Sequence, residues 1–365
     1  MILDDVEGTE TRNELADIVT SLFDRVSPPA EVVARADRAA AGHLDLDLWN
    51  RLSGEVGVLG LTVPEELDGG GATFAEAAVI LELVGRRAAA VPYLGTFLAI
   101  EALVRSGATP AREAWLERLM AGESRGALTW AGAGLEARSD DGSWEVTGTV
   151  DLVIDGHGAD VLVLPARTPD GERWFAVDLA GAGRTRRECL DLTRELAELR
   201  LAAAPALTLT EAGDQTLGDV LGDLARTAVA VEQLGVAEQA LADAVAYAGV
   251  RRQFGRTIGS FQALKHLLAD VACEVDLARS LVEHAVWAIC CQPDEQGRAA
   301  AMAMLAASRA AVVATAESVQ VHGGIGFSWE HPAHLYFRKA RSNEVLLGAR
   351  AELADRVLAA EGVRP

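Results

Sequence analysis

A short connector in the C-terminal half of the chain concentrates residue types that suit phosphate binding. The stretch VRRQFGRTIGSFQALKH contains three arginines and two glycines, namely Arg251, Arg252, Arg256, Gly255 and Gly259. Forked guanidinium groups match phosphate oxygens, and glycines allow tight turns or close approach of the backbone to a ligand. Because charged surface loops are common, the connector alone favours a solvated turn, and the rest of the sequence must decide.

A second glycine-rich stretch follows about 60 residues later, in VQVHGGIGFSWEHPAHLYFRKA. Its candidate binding residues are Gln320, Gly323, Gly324 and Gly326. Successive glycines let backbone amides approach an anionic cofactor closely. The same pattern is typical of a helix end followed by a turn, and both interpretations can hold together.

Other catalytic chemistries find little support in the sequence. The four cysteines show neither metal-binding nor disulfide spacing. His331 and His334 lie close together, but Pro332 separates them and no carboxylate completes a ligand set. No Gly-x-Ser-x-Gly elbow of a serine hydrolase is present. We therefore expect no metal site and no hydrolase.

Composition excludes several classes of partner. The formal net charge of −21 disfavours nucleic acid and anionic lipid, since both require basic surfaces. The first residues lack the basic start and apolar core of a signal peptide, and no apolar run is expected to span a bilayer. The sequence predicts a cytoplasmic protein with no nucleic-acid or membrane partner.

The elements that must position these residues fall into three blocks. Helical periodicity predicts an N-terminal helical domain over 1–124, with helices near 29–56, 74–85, 94–105 and 111–121. Short β-rich segments separated by turn residues predict a small antiparallel barrel or sandwich over 125–212. Long helical segments at 219–250, 261–291, 298–321 and 332–360 predict a four-helix bundle over 213–365. The predicted fold class is α+β and mostly α.

This order of blocks, together with the two glycine-containing motifs, resembles the acyl-CoA dehydrogenase family of flavoproteins. The resemblance implies FAD as cofactor, with Arg251 at the pyrophosphate, Phe254 near the adenine and Gln262 at the AMP half. The full set of implied cofactor-binding residues is Arg251, Gln253, Phe254, Gln262, Gln320, Gly323, Gly324 and Gly326. In the family, these motifs serve the cofactor of a neighbouring subunit, whose own β domain holds the isoalloxazine ring.

The family's carboxylate base, which removes the α proton of an acyl-CoA thioester, has no counterpart at either usual position. Those positions fall on Leu347 and on Ala225. Two acids lie nearby in the sequence, Glu232 and Glu344. Glu232 sits in the apolar run AVAVEQLGV, where burial would raise its pKa and make it a candidate base. The alternative is a polar residue at a subunit contact.

The β block also departs from the family pattern. The family carries a Trp-Ile-Thr-Asn-like segment against the flavin, and GTVDLVIDGHGAD places Leu152 at the Trp and Ile154 at the Thr. The upstream segment LTWAGAGLEARSDDGSW is short and lacks the family's serine-containing loop. The residues expected to contact the chain's own cofactor are therefore lost, whereas the residues expected to contact the cofactor of a neighbouring subunit are kept.

Three hypotheses follow from this asymmetry. The first is a non-catalytic or half-site subunit of a heterotetrameric acyl-CoA dehydrogenase, resembling the two-gene type of which some members oxidise steroid-CoA side chains. The second is a self-sufficient homo-oligomer that uses Glu232 or Glu344 as base. The third is a flavin-free assembly protein. The resemblance implies an acyl-CoA substrate, a related subunit as partner and an electron-transfer flavoprotein as electron acceptor.

Overall fold

The computed structural model describes residues 8–38 and 44–360, and its first part is helical. The helices are α1 (Thr9–Val26), α2 (Pro29–Arg38), α3 (Leu46–Arg51), α4 (Phe74–Arg86), α5 (Tyr93–Arg105) and α6 (Pro110–Met120). The helix predicted over 29–56 is divided into α2, α3 and a π-helical turn at Leu52–Val56. Residues 39–43 of that prediction lie outside the described residues. Local signals explain two helix starts, because Thr73 and Glu76 form a capping box before α4 and Thr109 caps α6.

Seven strands form one sheet that closes on itself. They are β1 (Gly126–Leu128), β2 (Glu136–Asp140), β3 (Ser143–Ile154), β4 (Val161–Thr168), β5 (Gly171–Asp178), β6 (Gly183–Arg187) and β7 (Leu196–Thr208). Strands β4, β2, β3, β7 and β5 pair in that order, and β5 pairs again with β4. This ring is a small barrel, as predicted. Alternate side chains such as Val146, Val150 and Leu199 fill its interior.

A bulge interrupts the long strand β3 at the segment that the family places against the flavin. Val150 pairs with Leu199 and Val153 with Ala197, so two residues of β3 oppose a single residue of β7. Leu152, within the bulge, has φ 57° and a side chain that is 61% exposed. The bulge therefore turns an apolar side chain out of the barrel.

The C-terminal part is a helical bundle. Its helices are α7 (Thr216–Val250), α8 (Gln262–Cys291), α9 (Gln296–His322), α10 (Ala333–Asn343) and α11 (Arg350–Ala360). The single helix predicted over 332–360 is wrong, because the chain turns between α10 and α11. Leu347 and Gly348 have φ values of 62° and 132° there, and no proline marks the break.

Helices α4 and α7 cross at a contact that only glycines allow. A Cβ atom on Gly85 would lie 2.0 Å from the carbonyl oxygen of Glu232, and one on Gly235 would lie 2.1 Å from that of Glu82. The two backbones therefore touch directly. This close crossing fixes the middle of α7 against the N-terminal helices and places Glu232 in the interior.

Helix α9 with its flanking turns, Pro293–Phe327, is long and apolar enough to cross a membrane by length and composition. The expectation that no apolar run reaches that length is therefore wrong on composition alone. In its most apolar window, 61% is buried inside the protein. This burial is the pattern of a core helix in a bundle.

Candidate functional site

The arginine-rich connector folds into a two-stranded hairpin after α7. Its strands are β8 (Arg252–Gln253) and β9 (Arg256–Thr257), in which Arg252 pairs with Thr257 and Gln253 with Arg256. Phe254 and Gly255 form the turn with φ values of 51° and 78°. Two positive φ values are the signature of a type I′ turn, in which the first position usually holds Asn, Asp or Gly. An aromatic residue is strained there.

The hairpin presents its aromatic tip to solvent. The Phe254 side chain is 91% exposed and meets Phe261 edge-on, with ring centroids 6.3 Å apart. The Arg256 guanidinium lies 4.0 Å above the centre of the Phe261 ring, and Arg252 donates to the Gly255 carbonyl oxygen at 3.0 Å. Arg251 is exposed and has no ion pair or side-chain hydrogen bond within the described part of the chain. Its donors are therefore available for an anion.

The glycine-rich motif ends α9 at the same end of the bundle. Gly323 has φ 63° and begins a 3₁₀ turn, Gly323–Phe327. A Cβ on Gly323 or Gly324 would meet no atom within 4 Å, so their backbone faces open space. Phe327 is 84% exposed. The exposed Gln320 and Gln262 lie at the ends of α9 and α8 that border this surface.

A small apolar cluster joins the two motifs. It contains Ala248 of α7 and Val321 of α9, with Ile258 and Leu264 packed against them. The cluster lies between the base of the hairpin and the last turn of α9. The structure thus brings the eight sequence-predicted residues to one exposed end of the bundle, which we call the donor end. Their contact with a cofactor stays a prediction.

The two usual base positions are connected through one hydrogen bond. Ala225 of α7 is fully buried, and Arg226 beside it donates through Nε to the carbonyl oxygen of Leu347 at 3.2 Å. Leu347 is partly buried and packs its side chain against the apolar core. Arg226 therefore links the two positions, and neither side chain can accept a proton.

The expectation that Glu232 has a raised pKa is wrong. Burial alone would raise it, but the charges and hydrogen bonds of Arg194 and Lys339 outweigh burial and lower the pKa of Glu232 to about 2. Arg194 donates to both carboxylate oxygens at 2.9 and 2.7 Å, and the Lys339 ammonium lies 2.5 Å from one of them. A carboxylate held ionised between two cations is a poor base, so the geometry opposes a catalytic role for Glu232.

Glu232 belongs to a buried ionic cluster that the sequence analysis missed. The Lys339 ammonium also reaches Thr193 Oγ1 at 3.0 Å and Asp191 Oδ2 at 3.3 Å. The cluster links the connection between β6 and β7 to α7 and α10. One signal was available, because Lys339 falls on the same face of α10 as the buried Tyr336 and Asn343.

Glu344, the other candidate base, lies at the end of α10. Its carboxylate accepts a hydrogen bond from Arg341 at 3.0 Å. The side chain also borders a cavity of about 280 Å³ between α9 and α11, with Leu305 and Leu353 among its apolar walls. No contact in the described residues directs Glu344 toward Ala225, and its catalytic role stays a prediction.

The barrel side of the chain's own flavin position offers little to a cofactor. The Trp130 indole, in the connection after β1, donates to the Gly218 carbonyl oxygen of α7 at 3.1 Å. Leu152 and Ile154 carry no polar side-chain atom for a flavin ring.

Comparison with known proteins identifies the family. The model for "Acyl-CoA dehydrogenase, N-terminal domain" matches residues 9–123, and that for "Acyl-CoA dehydrogenase, C-terminal domain" matches residues 222–361. The chain belongs to the acyl-CoA dehydrogenase family. It is 35% identical over 349 residues to acyl-CoA dehydrogenase IpdE2 of Mycolicibacterium smegmatis, covering 96% of this chain and 98% of that relative.

Two solved structures resemble this chain throughout. A chain of the ChsE4-ChsE5 complex from Mycobacterium tuberculosis is 30% identical with a TM-score of 0.88, covering 98% of both chains. A chain of the Tcur3481-Tcur3483 steroid enzyme is 31% identical with a TM-score of 0.85, covering 97% of this chain and 98% of that one.

The family uses FAD, and the described residues fit part of that cofactor. Unpaired Arg251 and the open backbone of Gly323 and Gly324 suit a diphosphate, and the exposed Phe254 ring suits an adenine. Leu152 and Ile154 do not supply the polar contacts of an isoalloxazine site. The fit is therefore good at the donor end and poor at the chain's own flavin position.

Proposed function

We propose that this chain is the non-catalytic subunit of a heteromeric, cytoplasmic acyl-CoA dehydrogenase, and that its donor end completes the FAD site of a related subunit. The aliphatic side chains of Ala225 and Leu347 carry this proposal. Arg226 connects the two places where the family keeps its base, and neither place holds an acid. A chain that kept its own chemistry would need an acid at one of them.

The reaction requires a carboxylate base for the α proton of the thioester and hydrogen bonds to its carbonyl oxygen. Bound FAD supplies the acceptor for the β hydride. In the proposal, this chain contributes neither base nor ring site. Arg251 neutralises the pyrophosphate, Phe254 packs beside the adenine, and the glycine turn brings backbone amides to the same cofactor.

The relatives support a heteromeric assembly and suggest a substrate class. Both resembling structures pair two differently named chains, and one of them is a steroid enzyme. An acyl-CoA with a steroid side chain is therefore the first substrate to test. The self-sufficient alternative loses its main support, because Glu232 is locked in an ionic cluster.

The test is the visible absorption spectrum of the purified chain, alone and co-expressed with the related subunit from its chromosomal neighbourhood. We expect no flavin absorption from the chain alone and a yellow, acyl-CoA-bleachable complex. Arg251→Ala removes the guanidinium, so we expect the complex to lose its flavin. Arg138→Ala on β2 is the matched control, since that exposed arginine pairs only with Glu136 of its own strand.

Two outcomes would contradict the proposal. Flavin that co-purifies with the chain alone and is bleached by acyl-CoA would make it self-sufficient. If Arg251→Ala leaves the flavin content of the complex unchanged, Arg251 does not hold the cofactor. The chain would then be an assembly partner that does not contribute to flavin binding.

A further inference from the structure

A cavity of about 400 Å³ lies directly behind the donor end. It is bordered by the end of α4, the last third of α7, the last residue of α9 and the start of α10. Its volume falls in the range of small-molecule sites. Because Gln320 and His322 lie on different faces of α9, the cavity is separate from the exposed surface that carries Gln320.

One wall of the cavity is a column of three rings. The Tyr247 and His322 centroids are 4.5 Å apart, and those of His322 and His331 are 4.4 Å apart. Contacts of this length are typical of stacked or tilted aromatic groups. The wall therefore offers a flat ligand a surface on which to stack.

Arg86 and Arg87 also line the cavity. Their Nε–H groups have no hydrogen-bond partner among the described residues, but they are buried. A ligand in the cavity therefore cannot use them as donors.

The charges of these arginines are already balanced. Arg86 pairs with Glu82 at 2.9 Å and with Glu238, and Arg87 pairs with Asp24 at 2.8 Å. A strong anion would gain little additional attraction from them. These two arginines therefore do not favour an anion over a neutral ligand.

Helix α7 and the segment before α10 supply complementary groups. Gln239 donates to Asp243 Oδ1 at 2.8 Å, which leaves Oδ2 and the amide oxygen as acceptors. His331 accepts from the Ala333 amide through Nδ1, so its Nε2 carries the proton when the ring is neutral. The cavity thus combines a stacking wall with donors and acceptors of low net charge.

We infer that this cavity binds a neutral, flat nitrogen heterocycle of the nucleobase or nucleoside class, stacked on the His331 side of the ring column and donating hydrogen bonds to Asp243 and to the Gln239 amide oxygen. This inference does not rest on the proposed function, since none of the implied FAD-binding residues lines the cavity.

The experiment is isothermal titration of the full chain with adenosine, guanosine, cytidine and uridine, and with the 5′-monophosphates. At least one nucleoside is expected to bind. Asp243→Asn is expected to weaken that binding about tenfold, because it replaces a charged acceptor. His331→Phe keeps the ring stack and removes one donor, and is also expected to weaken it. Asp276→Asn on the exposed face of α8 is the control and leaves binding unchanged.

Three results would overturn the inference. The first is the failure of all four nucleosides to bind at millimolar concentration to the folded chain. The second is binding of the monophosphates alone, lost at high salt, which would make the cavity an anion site. The third is binding that is lost on Arg251→Ala but kept in both cavity variants, which would place the ligand at the donor end.

Discussion

Arg226 of α7 holds the carbonyl oxygen of Leu347 at 3.2 Å from its Nε and thereby joins the two stretches in which the family keeps its base. Ala225 lies beside that arginine, fully buried, and Leu347 has φ 62° in the turn between α10 and α11. The supporting backbone is thus retained around both positions. What the chain lacks is the carboxylate itself.

Introducing an acid at Leu347 tests whether the base is the only part of the active site that the chain lacks. We expect that Leu347→Glu, supplied with excess FAD, shows no acyl-CoA-dependent bleaching as an isolated chain. The reason is that Leu152 and Ile154 still offer no polar contact to a flavin ring. Anaerobic absorption spectra with an acyl-CoA measure this, with Leu346→Glu as the matched control. Bleaching by Leu347→Glu alone would mean that the barrel binds flavin despite its sequence.

The sequence signals for the donor end are local. Arg251, Phe254 and Gly255 are nearly consecutive, so a single sequence motif contains all the residues of the hairpin. The barrel also followed from short alternating segments. By contrast, the turn at Leu347 lacks a proline or a preceding glycine, and its conformation depends on a contact with Arg226, 121 residues earlier.

The buried ionic cluster was not predictable from the same patterns. Glu232 meets Arg194 from 38 residues away, and Lys339 approaches it from another helix. A single acid in an apolar run indicates burial but does not reveal its partners. The sign of the pKa shift depends on those partners, which is why the sequence analysis predicted the wrong direction.

Glu232 should stabilise the fold and take no part in proton transfer. Its pKa falls from 4.5 in the unfolded chain to about 2 in the folded one, which corresponds to about 3 kcal/mol. A depressed carboxyl pKa stabilises the fold above pH 4.5, and this contribution is lost as the pH falls from 4.5 toward 2. Denaturant unfolding of the chain at a series of pH values should show that loss.

Glu232→Gln at pH 7 should lower the free energy of unfolding by about 3–5 kcal/mol, because it leaves Arg194 and Lys339 without their shared partner. Glu274→Gln is the matched control. Its exposed pair with Arg309 should contribute less than about 1 kcal/mol. If the folded Glu232→Gln complex instead keeps its stability and flavin but loses turnover, Glu232 is a base after all.

Asp155 should show the opposite pH dependence. Burial raises its pKa from 3.8 to about 6, although Arg194 and the Gly95 amide oppose that shift. A raised carboxyl pKa stabilises the fold below pH 3.8, and this contribution is lost as the pH rises through 6. Asp155→Asn should therefore reduce the difference in unfolding free energy between pH 4 and pH 7 by about 3 kcal/mol. An unchanged pH profile would show that Asp155 titrates normally.

Phe254 should lower the stability of the isolated chain and help the complex to retain flavin. Its φ of 51° at the first position of the hairpin turn is strained for an aromatic residue, whereas Asn is favoured there. We expect Phe254→Asn to stabilise the isolated chain by about 0.5–1 kcal/mol and to weaken flavin retention by the complex, since the exposed ring is lost. Thermal unfolding measures the first effect, and flavin release on dilution of the complex measures the second. Ile18→Asn, at an exposed apolar residue of α1, is a control for general loss of apolar surface. Should Phe254→Asn stabilise the chain without affecting flavin retention, the strained ring would have no part in holding the cofactor.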